Sequence, residues 1–233
     1  LIFERMPATL ELVAVAACLV LCIAIPLGVY AGAYPKRASS KLIMSGSILG
    51  ISLPSFWVGM MMIYIFAVVL RLLPASGRGN TVMVGNVALS IFAPGGIRYV
   101  ILPAITLALT NVATMLRLTR SGILENMRQD YIKFARAKGV PAKSILFGHA
   151  LKNALIPVVT IFGMDLGNMI AFTTITETIF AWPGMGKLLI DAINKSDRPI
   201  IVAYLMAAAC MFVVLNFIVD ILYTLIDPRI ELR

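Results

Sequence analysis

The sequence predicts an all-α protein, a polytopic bundle of transmembrane helices. Of its 233 residues, 60% are hydrophobic and 13% are charged, and the mean hydropathy is +0.94. Soluble domains contain about 45–50% apolar and about 25% charged residues, so this chain has too few polar residues for a water-exposed exterior. Helices of roughly 20 apolar residues can cross the hydrocarbon core of a bilayer. Five such spans are predicted, at about residues 10–33, 42–70, 100–118, 153–175 and 200–225.

The distribution of basic residues predicts the orientation of these spans. The turn at 34–41, the region 117–152 and the tail with Arg229 and Arg233 hold three, eight and two of the 20 lysines and arginines. Because lysine and arginine mark the cytoplasmic side, both loops and the C-terminus are expected there. The distribution of the basic residues that give the net charge of +9 therefore indicates how the chain is oriented in the membrane, and it does not indicate a nucleic-acid partner. Five spans then place Leu1 outside without a signal peptide, so we expect at least one earlier span.

Small residues in the second span predict a close helix contact. Gly46, Gly50 and Pro54 recur at four-residue intervals. Small side chains at this spacing let a neighbouring helix approach, and the proline predicts a kink. No soluble domain, internal repeat or low-complexity linker is evident, so residues 1–233 are predicted to form a single transmembrane domain.

Asp165 is the most informative polar residue inside a span. It lies well within the fourth predicted span, where a charge is costly and usually faces a cavity or a partner. Gly163 and Gly167 on either side would leave room for water or substrate. The alternative is a structural role, with Asp165 protonated or paired with another helix, for instance through Asn111.

Two loops on the opposite side from the basic clusters are long enough to carry contacts. Residues 73–98 contain the turn-forming strings ASGRGN and APGG, which predict irregular surface backbone. Residues 176–199 begin with an aromatic and Pro-Gly turn, and KLLIDAI then predicts a short amphipathic helix on the membrane surface. Phe180 and Trp182 would suit the interfacial aromatic belt.

The basic region at about 120–150 predicts a helix–turn–helix. Apolar residues recur at helical spacing from Gly122 to Lys138 and predict one continuous helix with an apolar face. Gly139 stands where a helix C-cap requires a left-handed residue, and Pro141 prevents continuation. A second helix is predicted from about Lys143 into the membrane. Such a loop either lies on anionic lipid or docks a soluble partner. The residues of the predicted apolar face are Leu124, Met127, Tyr131, Phe134 and Ala135.

Several strings of this loop and of the remaining chain resemble one family. Asp130–Tyr131, ARAKG (135–139) and HALKNALIP (149–157) lie in or beside the loop. Together with further strings that follow one another in the same order, they resemble the permease subunits of ABC importers for dipeptides, oligopeptides and related solutes. Only Ala135, Gly139 and Leu151 match the general loop signature of ABC importer permeases, and the other residues of these strings resemble the variant found in the peptide branch. The other matching strings are ERMPATLEL (4–12), SLPSFW (52–57), LPASGRG (73–79), ETIFAWPGMG (177–186) and VDILYTLIDPRI (219–230).

The resemblance implies roles for particular residues. The loop would act as a coupling helix on a cytoplasmic ATPase, with Ala135 permitting close contact, Gly139 setting the turn, and basic side chains reaching acidic partners. Asp165 departs from the glutamine more often found in this branch and would favour cationic groups. The implied residues are Ala135, Arg136, Ala137, Lys138 and Gly139 for coupling, Asp165, Asn111 and Asn168 for the translocation pathway, and Glu177, Trp182, Pro183 and Gly184 for contact with a solute-binding protein.

The resemblance also implies the partners and the location. These are cytoplasmic ABC ATPase subunits, a second homologous permease, an extracytoplasmic solute-binding protein and the cytoplasmic (inner) membrane of a bacterium or archaeon. The chain would form half of the translocation pathway, and the solute would be a peptide, glutathione or a nickel chelate.

Enzymatic chemistry within the chain is not expected. The sequence lacks a G-x4-G-K-[ST] phosphate loop, and GMGK at 184–187 has neither the spacing nor the Ser or Thr. With a single histidine there is no histidine cluster for a metal and no hydrolytic triad. No cofactor is therefore expected here, and ATP and magnesium would bind the partner ATPase. Two alternatives remain, an ion-gradient-driven secondary transporter using Asp165 as its ion site and a membrane assembly or scaffold subunit.

Overall fold

A computed structural model describes residues 1–85 and 87–226, except for the side chains of residues 220 and 222–226. The tail with Arg229 and Arg233, on which the orientation of the C-terminus depends, lies outside the described residues, as does the end of the VDILYTLIDPRI string. The described chain is mainly helical, which confirms the predicted all-α class. Its helices are α1 (Ile2–Ala33), α2 (Ala38–Ser52), α3 (Ser55–Met62, continued as a π-helix over Ile63–Val69), α4 (Ile97–Asn126), α5 (Asp130–Ala137), α6 (Ala142–Ser144, continued as a π-helix over Ile145–Ala150), α7 (Leu151–Ile179), α8 (Met185–Asn194) and α9 (Arg198–Ile226).

Four of the described helical segments are long and apolar enough to cross a membrane. They are Ile2–Ala33, Ile97–Asn126, Ala142–Ile179 and Arg198–Val219. The pair formed by α2 and α3 with its π-helical continuation is a fifth candidate if it is taken as one broken span. The break lies at Leu53 and Pro54, and Pro54 is the N-cap of α3 with ψ 134°, which confirms the interruption predicted there.

The loop at 73–98 contains a short β-hairpin where irregular backbone was predicted. Strands β1 (Val82–Val84) and β2 (Val87–Leu89) pair antiparallel, with Val82 opposite Leu89 and Val84 opposite Val87. β-Branched residues favour strands, and the turn-forming strings on either side, at 75–80 and 93–96, are irregular as predicted.

The chain divides into two compact units. The hairpin unit comprises Leu1–Leu19, Leu53–Leu109 and Asp165–Asn216, and the loop unit comprises Val20–Ser52, Thr110–Met164 and the described residues from Phe217 onward. Each unit takes its residues from three separate stretches of sequence, so each depends on contacts between distant parts of the chain.

Within the loop unit, glycines bring α1 and α4 together. A Cβ added at Gly28 would lie 2.6 Å from the Cβ of Thr119, and one added at Gly32 would lie 2.7 Å from the Cβ of Ile123. Side chains at these positions would force the two helices apart. Of the two glycines predicted to make a close contact in the second span, Gly50 is buried, whereas a Cβ added at Gly46 would meet nothing within 4 Å among the described residues.

Candidate functional site

The predicted helix–turn–helix is present in the loop unit, but its first helix is divided. α4 ends at Asn126 and α5 begins at Asp130, so the prediction of one continuous helix from Gly122 to Lys138 is wrong. The Asn126 side-chain amide donates to the carbonyl oxygen of Gly122 at 2.9 Å, and Gln129 is extended at φ −68°, ψ 153°. Side chains that bond to nearby backbone in this way compete with the helical ladder.

Ile132 is the buried anchor of α5. The turn after Asn126 shifts the helical phase, so that Ile132 faces the protein with 0% exposure while Phe134 is 63% exposed. Of the residues predicted on the apolar face, Phe134 and Tyr131, which is 40% exposed, lie at the surface of the chain. Ala135 packs at the edge of the buried cluster. The buried members of that cluster are Val29, Ile123, Ile132, Ile145, Ala150 and Ala154.

Gly139 ends α5 as predicted. Its φ is +77°, the left-handed conformation that glycine adopts without steric cost. The N–H of Gly139 donates to the carbonyl oxygen of Arg136 at 3.0 Å, and the N–H of Val140 donates to that of Ala135 at 3.1 Å. This pair of bonds is the Schellman motif, which satisfies the last carbonyls of the helix. Pro141 follows as the N-cap of α6, and the chain turns back toward α7.

Tyr131 connects α5 to the two long helices on either side of it. Its hydroxyl donates to Asn126 Oδ1 at 2.8 Å and accepts from Asn153 Nδ2 at 2.9 Å. Asn126 ends α4 and Asn153 lies in the first turn of α7. Two of the strings that resemble the peptide branch, DY at 130–131 and HALKNALIP at 149–157, are thus joined by a hydrogen bond that their spacing in the sequence does not reveal.

The outer surface of this loop is basic and aromatic. Of the five predicted coupling residues, Ala135 is half-buried, and the other four are exposed. The Lys138 Nζ lies 4.5 Å from the centroid of the Phe134 ring, a cation–π contact. At the start of α5 the Lys133 ammonium, 2.8 Å from Asp130 Oδ1, lowers the pKa of that carboxyl. The exposed coupling residues are Arg136, Ala137, Lys138 and Gly139.

The three predicted pathway residues are divided between the two units. Asp165 is half-buried and Asn168 is exposed in the hairpin unit, and Asn111 is half-buried in the loop unit. The space expected beside Gly167 is filled, because a Cβ there would lie 2.5 Å from the Phe212 ring. Gly167 therefore serves close packing of α7 on α9, and it does not provide the cavity that was predicted.

In the hairpin unit, Glu177 is buried at the N-terminus of α8. Its carboxylate accepts from Thr9 Oγ1 at 2.6 Å and from the N–H of Lys187 at 2.9 Å. Thr9 Oγ1 in turn accepts from the N–H of Met185 at 2.8 Å. A carboxylate at this position satisfies helix N–H groups and complements the positive end of the helix dipole. A Cβ at Gly184 would overlap this carboxylate, which requires glycine there.

Trp182 also has a place inside the hairpin unit. Its ring is 0% exposed, and its Nε1 donates to the carbonyl oxygen of Ala8 at 2.9 Å. Phe180 is 2% exposed, so the expectation that both rings belong to an interfacial belt is wrong. Of the four residues expected to contact a binding protein, only Pro183 is not buried. Glu177, Trp182 and Gly184 shape the loop from within.

Sequence reasoning missed a second buried carboxylate, Glu11. It accepts from Arg78 Nε at 2.9 Å, from the N–H groups of Ser90 and Ile91 at 2.7 Å each, and from Ser90 Oγ at 3.0 Å. Arg78 also donates to the carbonyl oxygen of Ala88 at 2.7 Å. Glu11 thereby joins α1 to the β-hairpin. A carboxylate inside an apolar span was the signal that would have found it.

The chain matches the family model described as "Binding-protein-dependent transport system inner membrane component" over residues 24–232. The chain belongs to this family. Its curated relatives include the oligopeptide transport system permease protein AppB of Bacillus subtilis, 42% identical over 99% of this chain and 71% of the relative. The di/tripeptide transport system permease protein DppB of Pseudomonas aeruginosa is 40% identical over 97% of this chain and 70% of the relative.

Solved structures show the same fold. A chain of the MetNI methionine ABC transporter in an inward-facing conformation has a TM-score of 0.74 at 16% identity, covering 97% of this chain and 96% of that one. A chain of an amino acid ABC transporter has a TM-score of 0.61 at 13% identity, covering 98% and 94%. The permease family expected from ARAKG and HALKNALIP is confirmed. Family membership favours a transport subunit over a secondary transporter or a scaffold.

The Glu11 cluster predicts a large stability effect in the hairpin unit. Glu11→Ala would leave Arg78, whose side chain is 10% exposed, buried without its counter-ion, and breaking such a pair costs about 3–5 kcal/mol. The matched control is Asp191→Asn, because Asp191 pairs with Lys187 at 3.3 Å but is 48% exposed, and such pairs contribute at most about 1 kcal/mol. Thermal unfolding of the full-length chain in detergent measures both. Similar small losses in the two variants would contradict the structural role of Glu11.

Proposed function

We propose that this chain is the permease subunit of an ATP-driven importer for di- or oligopeptides or a related small solute. It would form half of the translocation pathway and couple to a cytoplasmic ATPase. The observation that carries the proposal is the loop of α5, Gly139 and α6, which presents an exposed surface on one side and is fixed to the long helices on the other. The relatives named for oligopeptide and di/tripeptide transport support the class of solute.

The exposed side of the loop suits a protein groove. Phe134 is a large apolar side chain held at 63% exposure, beside the basic side chains of Arg136 and Lys138. Aromatic and arginine side chains supply most of the binding energy at protein interfaces, and acidic rim residues on the partner would pair with the basic ones. On the ATPase side, ATP and magnesium would bind, and nucleotide-driven closure would displace the docked loop.

The buried side of the loop would transmit that displacement. Ile132 packs in the cluster with residues of α1, α4 and α7, and Tyr131 bonds to Asn126 and Asn153. Close-packed interiors transmit strain because they have little free volume. A push on α5 would therefore move the ends of α4 and α7 together.

The hairpin unit would face the remaining partners. Its loop at 176–199 is held from inside by Glu177 and Trp182, and Pro183 would meet a solute-binding protein. A second homologous permease would complete the pathway in the cytoplasmic membrane of a bacterium or archaeon, with the C-terminus of this chain in the cytoplasm.

Docking can be tested at Phe134. Truncation of an aromatic anchor at an interface typically costs 2 kcal/mol or more, roughly 30-fold in affinity. We expect Phe134→Ala in the full-length chain to reduce the ATPase that co-purifies from native membranes, quantified by mass spectrometry, and to reduce solute uptake with it. Phe172→Ala is the control, because Phe172 on α7 is 62% exposed. Unchanged ATPase recovery with Phe134→Ala would contradict the docking proposal.

Transmission can be tested separately at Tyr131. Tyr131→Phe removes one hydroxyl and two hydrogen bonds, worth about 1 kcal/mol each, while the exposed surface of α5 stays intact. We expect ATPase recovery to stay unchanged while solute-stimulated ATP hydrolysis falls several-fold. Combined with Asn153→Ala, the loss should be less than the sum of the single losses, because the two residues share one bond. Fully additive losses, or loss of the ATPase itself, would contradict this role.

Asp165 provides the test of solute selection. If it faces the pathway, its carboxylate would bind the amine of a cationic peptide, and hydrogen bonds to charged groups contribute about 1.5–3 kcal/mol. We expect Asp165→Asn to slow uptake of cationic peptides about tenfold or more, with little effect on neutral ones. Asp191→Asn, which removes an acid from α8, is the control. Equal uptake of both peptide classes by Asp165→Asn and the parent would place Asp165 outside the pathway.

A further inference from the structure

An apolar groove of about 310 Å³ lies in the loop unit, between the end of α1 and the start of α7. Its volume is at the lower end of the range for small-molecule sites, about 300–1,000 Å³. Phe147 is 52% exposed there. Both walls belong to helical segments long and apolar enough to cross a membrane, so lipid is the environment that we expect at the mouth of the groove. The apolar lining residues include Ile25, Pro26 and Val29 of α1, and Leu146, Phe147 and Leu151.

One end of the groove has an aromatic and basic rim. Tyr30 and Tyr34 line it with ring centroids 5.4 Å apart. The Arg37 Cζ lies 4.2 Å from the Tyr34 ring centroid, and a hydrogen bond with Tyr30 raises the pKa of Arg37. The Tyr30 hydroxyl is 2.8 Å from Ser39 Oγ. The guanidinium thus lies over the Tyr34 ring at the rim, although it is exposed to solvent.

The segments that form the rim carry charge of one sign. Residues 34–52 and 141–153 contain lysine and arginine but neither aspartate nor glutamate. An anion at the rim would therefore meet only basic charges from these two segments. The basic residues of the two segments are Lys36, Arg37, Lys41, Lys143 and Lys152.

We propose that this groove is a binding site for an anionic phospholipid. An acyl chain would occupy the apolar part, and the phosphate would be held by Arg37 at the tyrosine rim. Basic pockets between membrane helices bind anionic headgroups in this way, and tyrosine suits the headgroup level. Arg37 would favour this lipid over the zwitterionic lipids of the same bilayer, because those lipids carry no net charge. The site does not rest on the peptide-import proposal, because none of the five predicted coupling residues (135–139) lines the groove, although Leu146 and Phe147 belong to the same loop.

Tryptophan fluorescence can test the site directly. Phe147→Trp in the full-length chain places a reporter in the groove, and the chain is reconstituted in phosphatidylcholine bilayers containing brominated phosphatidylglycerol or, in a second sample, brominated phosphatidylcholine at the same mole fraction. Bromine quenches only when it is in contact with the ring. Phe172→Trp is the control reporter, being exposed on α7 outside the rim segments. The two native tryptophans, Trp57 and Trp182, are subtracted with the parent chain.

The expected result is stronger quenching by brominated phosphatidylglycerol than by brominated phosphatidylcholine at position 147, with no such preference at 172. Arg37→Gln should lower the preference about fivefold, the effect of removing one basic residue near an anionic headgroup. Lys36→Gln removes the same charge one residue away and should lower it less. Equal quenching by both lipids at 147 would overturn the proposal. Absence of quenching at 147 with quenching at 172 would also overturn it, because protein would then cover the groove.

Discussion

Burial of Ile132 is the constraint on which the loop unit depends. α5 is only eight residues long, from Asp130 to Ala137, and a helix of that length is not stable by itself in water. It persists because Ile132 fills a cluster formed with Val29, Ile123 and Ala154 from three longer helices. The other features of the loop follow from this anchor. With Ile132 inward, Phe134 must face outward, and the Schellman cap at Gly139 returns the chain to the same cluster through Val140.

Buried carboxylates play the corresponding part in the hairpin unit. Glu11 gathers Arg78, Ser90 and Ile91 around α1, and Glu177 satisfies N–H groups at the start of α8. The Glu11 and Glu177 clusters lie near each other at Trp182, because the Arg78 Cζ is 5.7 Å from the centroid of the Trp182 ring. Each buried carboxylate accepts several hydrogen bonds, and each bond offsets part of the cost of removing the charge from water. The carboxylates can therefore hold the loops together in a protein whose helices bury little charge.

Composition and periodicity were sufficient for the helical class, for the interruption at Pro54 and for the turn at Gly139, because each follows from local chemistry. The phase of α5 was not predictable in this way. It depends on the Asn126 side chain ending α4, a local bond that competes with a helix of adequate propensity. The positions of Trp182 and Glu177 were also misjudged, since an aromatic or acidic residue in a loop looks exposed until the partners Ala8 and Thr9, far away in sequence, are known. Residues paired across more than 150 positions leave no periodic signal.

The open space at Gly139 has a consequence for how the loop could be shared. A side chain added there would meet nothing within 4 Å, so the turn is bare peptide between Lys138 and Val140. A protein seated on it would meet main chain, whose shape is set by φ and not by the identity of the neighbouring residues. Recognition of that kind tolerates drift in the surrounding sequence. The tolerance applies to the turn alone, because the proposed docking surface also includes the side chains of Phe134, Arg136 and Lys138.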